Sequence, residues 1–294
     1  MRSWLWRHLH LALPDDWEML RYALDMEAGS CLFADRYQMR LEFTWKTVPG
    51  APDFNRMMAD YAARLQVEHA AGEAGLRRAS TGSWEGIEVS GASAHSRYGR
   101  YIEPESCLVE AVLFWPEGRR DKALLQAVLD GIEASTPTAR GLRPWAAAGL
   151  SCAVEPGMTM RACAIKPASA EMVFALPERE RLIRRFQRLG MVDRWLTHGM
   201  DDWLIRNLPR DTVVVDRMVR ERDGHTVYSV TGRRRRLALS LGNRWMAVAS
   251  AAWRCPHDGR LYASTVERPL REQTAQRARP DRELACCQAW QPGA

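Results

Sequence analysis

Apolar and polar residues alternate with a period of two along much of this chain, and the alternation arrives in two successive blocks. Met39, Leu41, Phe43 and Trp45 interleave with Arg40, Glu42 and Thr44, as expected of a strand with one face in a core and the other in water. Residues 6–13 alternate likewise, with Trp6, His8 and His10 on one face and Leu9, Leu11 and Leu13 on the other. In the second block, residues 226–232 echo residues 85–91 in alternation and in a closing glycine. Each is followed by an arginine-containing strand and then an apolar one, residues 245–253 beside 107–115. Such a chain must form sheets, and the echo predicts one unit present twice.

Helical spacing interrupts the alternation at a few places. Asp53 is a natural N-cap for Phe54, Met57, Met58, Tyr61 and Leu65, and Leu125, Val128, Leu129 and Ile132 mark a second helix over residues 121–134. In the second block Pro177 opens a predicted helix through Leu182, Ile183, Phe186 and Leu189. The expected fold class is α+β: two similar units, each a curved antiparallel sheet packed with amphipathic helices in the order β-β-β-α-β-β-β-α. Residues 1–139 form the first unit and residues 140–266 the second. The second carries an extra helical insertion near residues 191–207 and a hairpin through Pro256, His257, Asp258 and Gly259 where the first turns into its helix. Residues 267–294 read as a polar, arginine-rich tail ending in an apolar patch at residues 284–290.

Composition bounds the class of protein. The chain has 294 residues, 46% hydrophobic and 27% charged, a globular composition with room for two domains. Arg7, His8 and His10 break the N-terminal apolar stretch, so no signal peptide is expected. No apolar run approaches the roughly 20 residues of a membrane span. Seven cysteines at irregular spacings do not make a disulfide framework. These features predict a soluble, cytoplasmic protein. Charge is polarised: residues 1–139 carry 15 basic against 20 acidic residues, and residues 140–294 carry 27 against 16. The second unit is therefore where an anionic partner is expected.

The stretch Leu11-Ala12-Leu13-Pro14-Asp15-Asp16-Trp17, followed by a hairpin and the helix at Asp53, resembles the opening of PsbP-like α/β/α sandwiches, which include the bacterial DcrB-like proteins. The resemblance covers residues 6–135 and, more loosely, 148–266. It implies a non-enzymatic accessory role in partner binding and transfers no catalytic residue. The chain departs from better-known members in carrying no recognisable export or lipid-anchor sequence and in having two units.

Candidate chemistry is sparse. There is no G-x-S-x-G, P-loop, G-x-G-x-x-G after a strand or H-E-x-x-H, so no catalytic residue and no cofactor is assigned. Chance acid/base pairs exist at His198 with Asp202 and at His69 with Glu68 and Glu73. His8 and His10 on one strand face, and Cys255 and His257 with Cys286 and Cys287, are the possible metal ligands. The latter four match the number a zinc site needs but not its usual C-x₂-C spacing. The binding candidates are basic: Arg181, Arg184, Arg185 and Arg188 on the predicted helix, and Arg233, Arg234, Arg235 and Arg236 between two strands. Arginine beside Trp245 and Trp253 suits an acidic protein surface or a nucleic acid. The expected function is a non-catalytic interaction or assembly protein with a protein partner, which includes self-association through the acidic first unit. The alternatives are a nucleic-acid-binding module in the second unit and an enzyme with a site between the units.

Overall fold

A computed structural model describes residues 1–68, 75–91, 94–176, 182–236, 244–270 and 279–287. The chain divides into two compact units, Met1–Ser135 and Thr136–Ala294. Strand accounts for 54% of the structure and helix for 17%, which overturns the α+β expectation.

The first unit opens with β1 (Arg2–Trp6) and β2 (Leu9–Leu13), and its large sheet begins with β3 (Glu18–Tyr22), β4 (Ala28–Ala34) and β5 (Met39–Thr47). Helix α1 (Phe54–Glu68) leads into β6 (Leu76–Thr81), β7 (Trp84–Val89), β8 (His95–Ile102) and β9 (Cys107–Phe114). Helix α2 (Lys122–Asp130) and β10 (Ile132–Ala134) complete it. The large sheet has the order β3-β4-β5-β9-β8-β7-β6, and β10-β2-β1 forms a separate antiparallel ladder. Asp53 does cap α1, its carboxylate accepting the Arg56 amide at 3.0 Å.

The second unit runs β11 (Arg143–Ala147), β12 (Leu150–Val154), β13 (Thr159–Lys166), β14 (Ser169–Ala175) and β15 (Ile183–Leu189). Helices α3 (Val192–Trp195) and α4 (Met200–Arg206) follow, then β16 (Val213–Arg222), β17 (His225–Arg236), β18 (Arg244–Arg254), β19 (Leu261–Pro269) and β20 (Leu284–Ala285). Its large sheet reads β13-β14-β15-β19-β18-β17-β16, the same strand order as the first unit's, and its small ladder includes β11-β12-β20.

The correspondence reaches single residues. Each unit opens with a two-residue hairpin whose central residues both have positive φ, Arg7 (51°) and His8 (61°) in one, Ala148 (50°) and Gly149 (71°) in the other. This turn matches the twist of the flanking strands. Arg-x-Trp heads both hairpins and Phe-Ala closes both β4 and β14. Trp4 packs on Phe33 with ring centroids 5.3 Å apart, and Trp145 packs on Phe174 at 5.1 Å. These four rings are buried, so a hairpin covers one face of each large sheet.

That packing explains the departure from an α+β sandwich. A strand ladder occupies a face assigned to helices, and α3 and α4 have only 4 and 7 residues. The predicted helix over residues 177–189 is also corrected. Residues 177–181 lie outside the described residues, and Ile183–Leu189 is a strand paired with β14 and β19. Leu182, Ile183, Phe186 and Leu189 imitate helical spacing because two face-sharing neighbours of Phe186 are arginines, one of them buried Arg184. With that helix gone, α3 and α4 take the place in chain order that α1 holds in the first unit, so they are no insertion. Likewise the turn at residues 256–259 joins β18 to β19 as residues 103–106 join β8 to β9. Residues 6–13 are not one strand: the turn at Arg7 and His8 splits them.

Candidate functional site

Register fixes which side chains share a face in the second unit, because directly opposed residues of neighbouring strands point the same way. Thr231 opposes Ala249, which opposes Val266, which opposes Arg184. By the same rule Met218, Ser229, Arg233, Ala247 and Arg268 lie on this face. Val230 and Ala252 lie on the reverse, buried with Val192 and Leu204 of the short helices. The hairpin β11–β12 covers part of the first face, through Trp145 on Phe174. The remainder is an open trough of about 1250 Å³. Small side chains, Thr231, Ala247 and Ala249, form its floor, Val215 and Met218 of the edge strand β16 line one side, and Pro280–Glu283 lines another.

Arginine dominates the walls: Arg140, Arg184, Arg220, Arg233, Arg268, Arg279 and Arg282 all line the trough. Some are held by buried or half-buried carboxylates. Arg184 donates to Glu155 through Nε at 2.6 Å and through a second nitrogen, and its Nη1 lies 3.4 Å from Glu283. Asp281, with no exposed surface, meets Arg220 at 2.5 Å and Arg222 at 2.8 Å. Burial works to raise the Glu155 carboxyl, but the bonds and charge of Arg184 outweigh it and hold the group below the usual range. At Glu283 burial wins over Arg184 and Arg140, and the carboxyl is pushed up. No histidine, cysteine or tyrosine is among the described residues lining the trough, so the groups that most readily move protons near neutral pH are missing from its lining.

The basic residues predicted to bind separate into three sets. Arg184 and Arg188 face the hairpin side of the sheet, whereas Arg185 lies on the reverse, 3.7 Å from Glu171. Arg234 also lies on the reverse and donates to Glu267 at 2.7 Å. Arg233 and Arg235 share the trough face and flank Trp245, 5.4 and 4.9 Å from its ring. Arg181 and the side chain of Arg236 lie outside the described residues. Sequence reasoning missed Arg140, Arg220, Arg268, Arg279 and Arg282 because they come from separate segments and converge only through the sheet order.

Edge strand β16 has a character of its own. Val213 (56%), Val215 (66%), Met218 (52%) and Val219 (58%) are exposed along it, and among the described residues it pairs with β17 alone. An edge strand leaves a row of main-chain donors and acceptors unused by its own sheet.

The other candidates fall apart or regroup. His8 stands in a turn, 3.4 Å from Glu105, while His10 on β2 meets Glu133 at 3.3 Å and Ser3 at 2.7 Å. They share no strand face. His198 and Asp202 are exposed, and His69 lies outside the described residues. Cys255, Cys286 and Cys287 do converge, and the histidine that joins them is His225. His257 lies alongside, its ring centroid 6.2 Å from that of His225. The Asp223-Gly224 dipeptide is the signal for this placement. Both residues have positive φ, 47° and 74°, and the hairpin they form sets His225 at the start of β17.

In the first unit, a smaller cavity of about 380 Å³ is lined by Arg77, Glu88, Ser96, Trp115 and Arg120. Burial raises the Glu88 carboxyl, but bonds from Arg77, Arg120 and Tyr98 prevail and hold it below the ordinary range. The polar groups there satisfy one another. Neither a protein-family model nor a curated protein sequence matches the chain. Among the described residues no helix is long and apolar enough to cross a membrane.

Proposed function

We propose that this chain is a non-catalytic, cytoplasmic interaction protein whose second unit receives an extended, acidic segment of a protein partner along β16 and the adjoining trough. The observation that carries this reading is the meeting of an apolar, exposed edge strand with a trough walled by arginine. Main-chain pairing to β16 supplies affinity without regard to sequence, and apolar contacts with Val215 and Met218 set register. Arg233, Arg279 and Arg282 select acidic side chains. A nucleic acid would use the same arginines but gain little from four exposed aliphatic side chains. The shared strand order and the repeated Arg-x-Trp and Phe-Ala positions favour a tandem duplication in which the second copy acquired the binding surface. The accessory role implied by the PsbP-like resemblance belongs to the same class of function.

Fluorescence anisotropy with three labelled probes tests the proposal: a peptide alternating glutamate and valine, its lysine counterpart, and a single-stranded oligonucleotide. The acidic peptide is expected to bind best, and the double substitution Arg233→Glu, Arg282→Glu to weaken it by roughly 10-fold or more. Equal binding of both peptides, or preferential binding of the oligonucleotide, overturns the reading.

A further inference from the structure

Four soft or borderline donors, on three segments distant in sequence, meet at one end of the second unit's sheet. His225 begins β17, Cys255 follows β18, and Cys286 and Cys287 follow β20. All four ligand atoms lie within 4.8 Å of one another, with Cys255 and His225 buried and the other two half-buried. His225 Nε2 is 3.4 Å from the Cys286 sulfur and 3.7 Å from the Cys287 sulfur, and the two sulfurs are 3.7 Å apart. A tetrahedron with zinc–sulfur bonds of about 2.3 Å and a zinc–nitrogen bond of about 2.05 Å has edges of about 3.8 Å between sulfurs and about 3.5 Å between sulfur and nitrogen. His225, Cys286 and Cys287 already stand near those separations, and the Cys255 sulfur lies within 4.8 Å of each of them.

The surroundings also suit a metal. His225 Nδ1 is 2.8 Å from the Asp223 carbonyl. A carbonyl only accepts, so Nδ1 carries the hydrogen and Nε2 presents its lone pair to the cysteines, the usual arrangement of a metal-bound histidine. The backbone amides of His257 and Asp258 favour the thiolate form of Cys255 against its burial. A disulfide is a poor alternative for Cys286 and Cys287, because adjacent Cα atoms are about 3.8 Å apart and disulfides prefer about 4.4 to 6.8 Å. The chain leaves the β20 ladder after Ala285, which lets two consecutive side chains turn to one side.

We propose that His225, Cys255, Cys286 and Cys287 bind a structural zinc ion. Three thiols release their protons to solvent on binding, the imidazole stays neutral, and a four-donor set leaves no open position for substrate. The ion fastens residues 279–287 to the sheet. That segment is also held by the two residue pairs of β20 with β12, by burial of Pro280 and Leu284, and by the ion pairs of Asp281 and Glu283. The ion adds a second anchor beside the pairs that Asp281 and Glu283 make with Arg220, Arg222 and Arg184.

The test uses the purified full chain, reduced, stripped with a chelator and titrated with Co²⁺ and then Zn²⁺. One metal ion per chain is expected, with the visible absorption of tetrahedral cobalt and a thiolate charge-transfer band, both abolished by zinc. His225→Asn should weaken cobalt binding by roughly 100-fold, and Cys286→Ser with Cys287→Ser should remove the thiolate band. His257→Ala and Cys163→Ser should leave both unchanged. Zinc should also protect Cys255, Cys286 and Cys287 of the wild-type chain from alkylation, a readout independent of variant folding. Failure of the reduced wild-type chain to bind cobalt, or alkylation of those three cysteines unaffected by zinc, overturns the proposal. So does retention of full affinity by His225→Asn.

Discussion

Trp145 and Trp4 hold equivalent positions, each a buried indole on the penultimate residue, a phenylalanine, of the second strand of its sheet. Truncating either to alanine opens a cavity between hairpin and sheet, with an expected loss of about 3–5 kcal/mol, measured by denaturant titration. Arg184 tests a different force. Arg184→Met keeps the volume but strands Glu155 and Glu283 without their shared cation, and about 3–5 kcal/mol is expected to be lost at neutral pH. Acidification has opposite effects on two carboxylates. Glu283 titrates above the ordinary range, so the folded protein takes up that proton first, and stability rises as pH falls through its folded pKa toward the unfolded value. Glu155 titrates below the range, so its contribution is complete above the unfolded value and is lost as pH falls through the folded one. Melting temperature should hold down to about pH 5 and drop below about pH 4, as a series of thermal melts would show.

At the scale of elements, β16 and β15 make contrasting cases. The exposed aliphatic row on β16 is not needed for folding, so Val215→Lys and Val219→Lys should each change stability by less than about 0.5 kcal/mol. Both should weaken binding of the acidic peptide, since a lysine on an edge strand discourages strand addition. Anisotropy and thermal denaturation of the same samples separate the two effects. The sequence announced α1, α2, β5 and β7 through β9, because each has a clean period or a capping residue. It hid β15, whose buried arginine breaks the alternation that marks a strand. It hid β6 as well, where Arg77 and Arg78 interrupt the apolar pattern. The candidate site was half legible for the same reason. Clusters adjacent in sequence, such as residues 233–236 and Cys286 with Cys287, were visible. Arg140, Arg220, His225 and Arg282 needed the sheet order to bring them in.

Across the whole molecule, two sheets of one strand order carry opposite charge, with acidic residues in excess over residues 1–139 and basic residues over 140–294. Ending the chain after residue 270 should separate their fates. The second unit loses β20, Asp281, Glu283 and the pair of cysteines, whereas the first keeps its whole sequence. Calorimetry is expected to show the first unit's transition retained and the second's shifted down or lost. The closing strands also have a consequence in time. Ile132 pairs with Leu11 and Ala285 with Ser151, so each opening hairpin waits for a strand made more than a hundred residues later. Loops of that size close slowly, and the wait leaves hairpin edges uncovered while synthesis proceeds. A newly made chain therefore passes twice, once per unit, through a stage in which a hairpin edge lacks its closing strand.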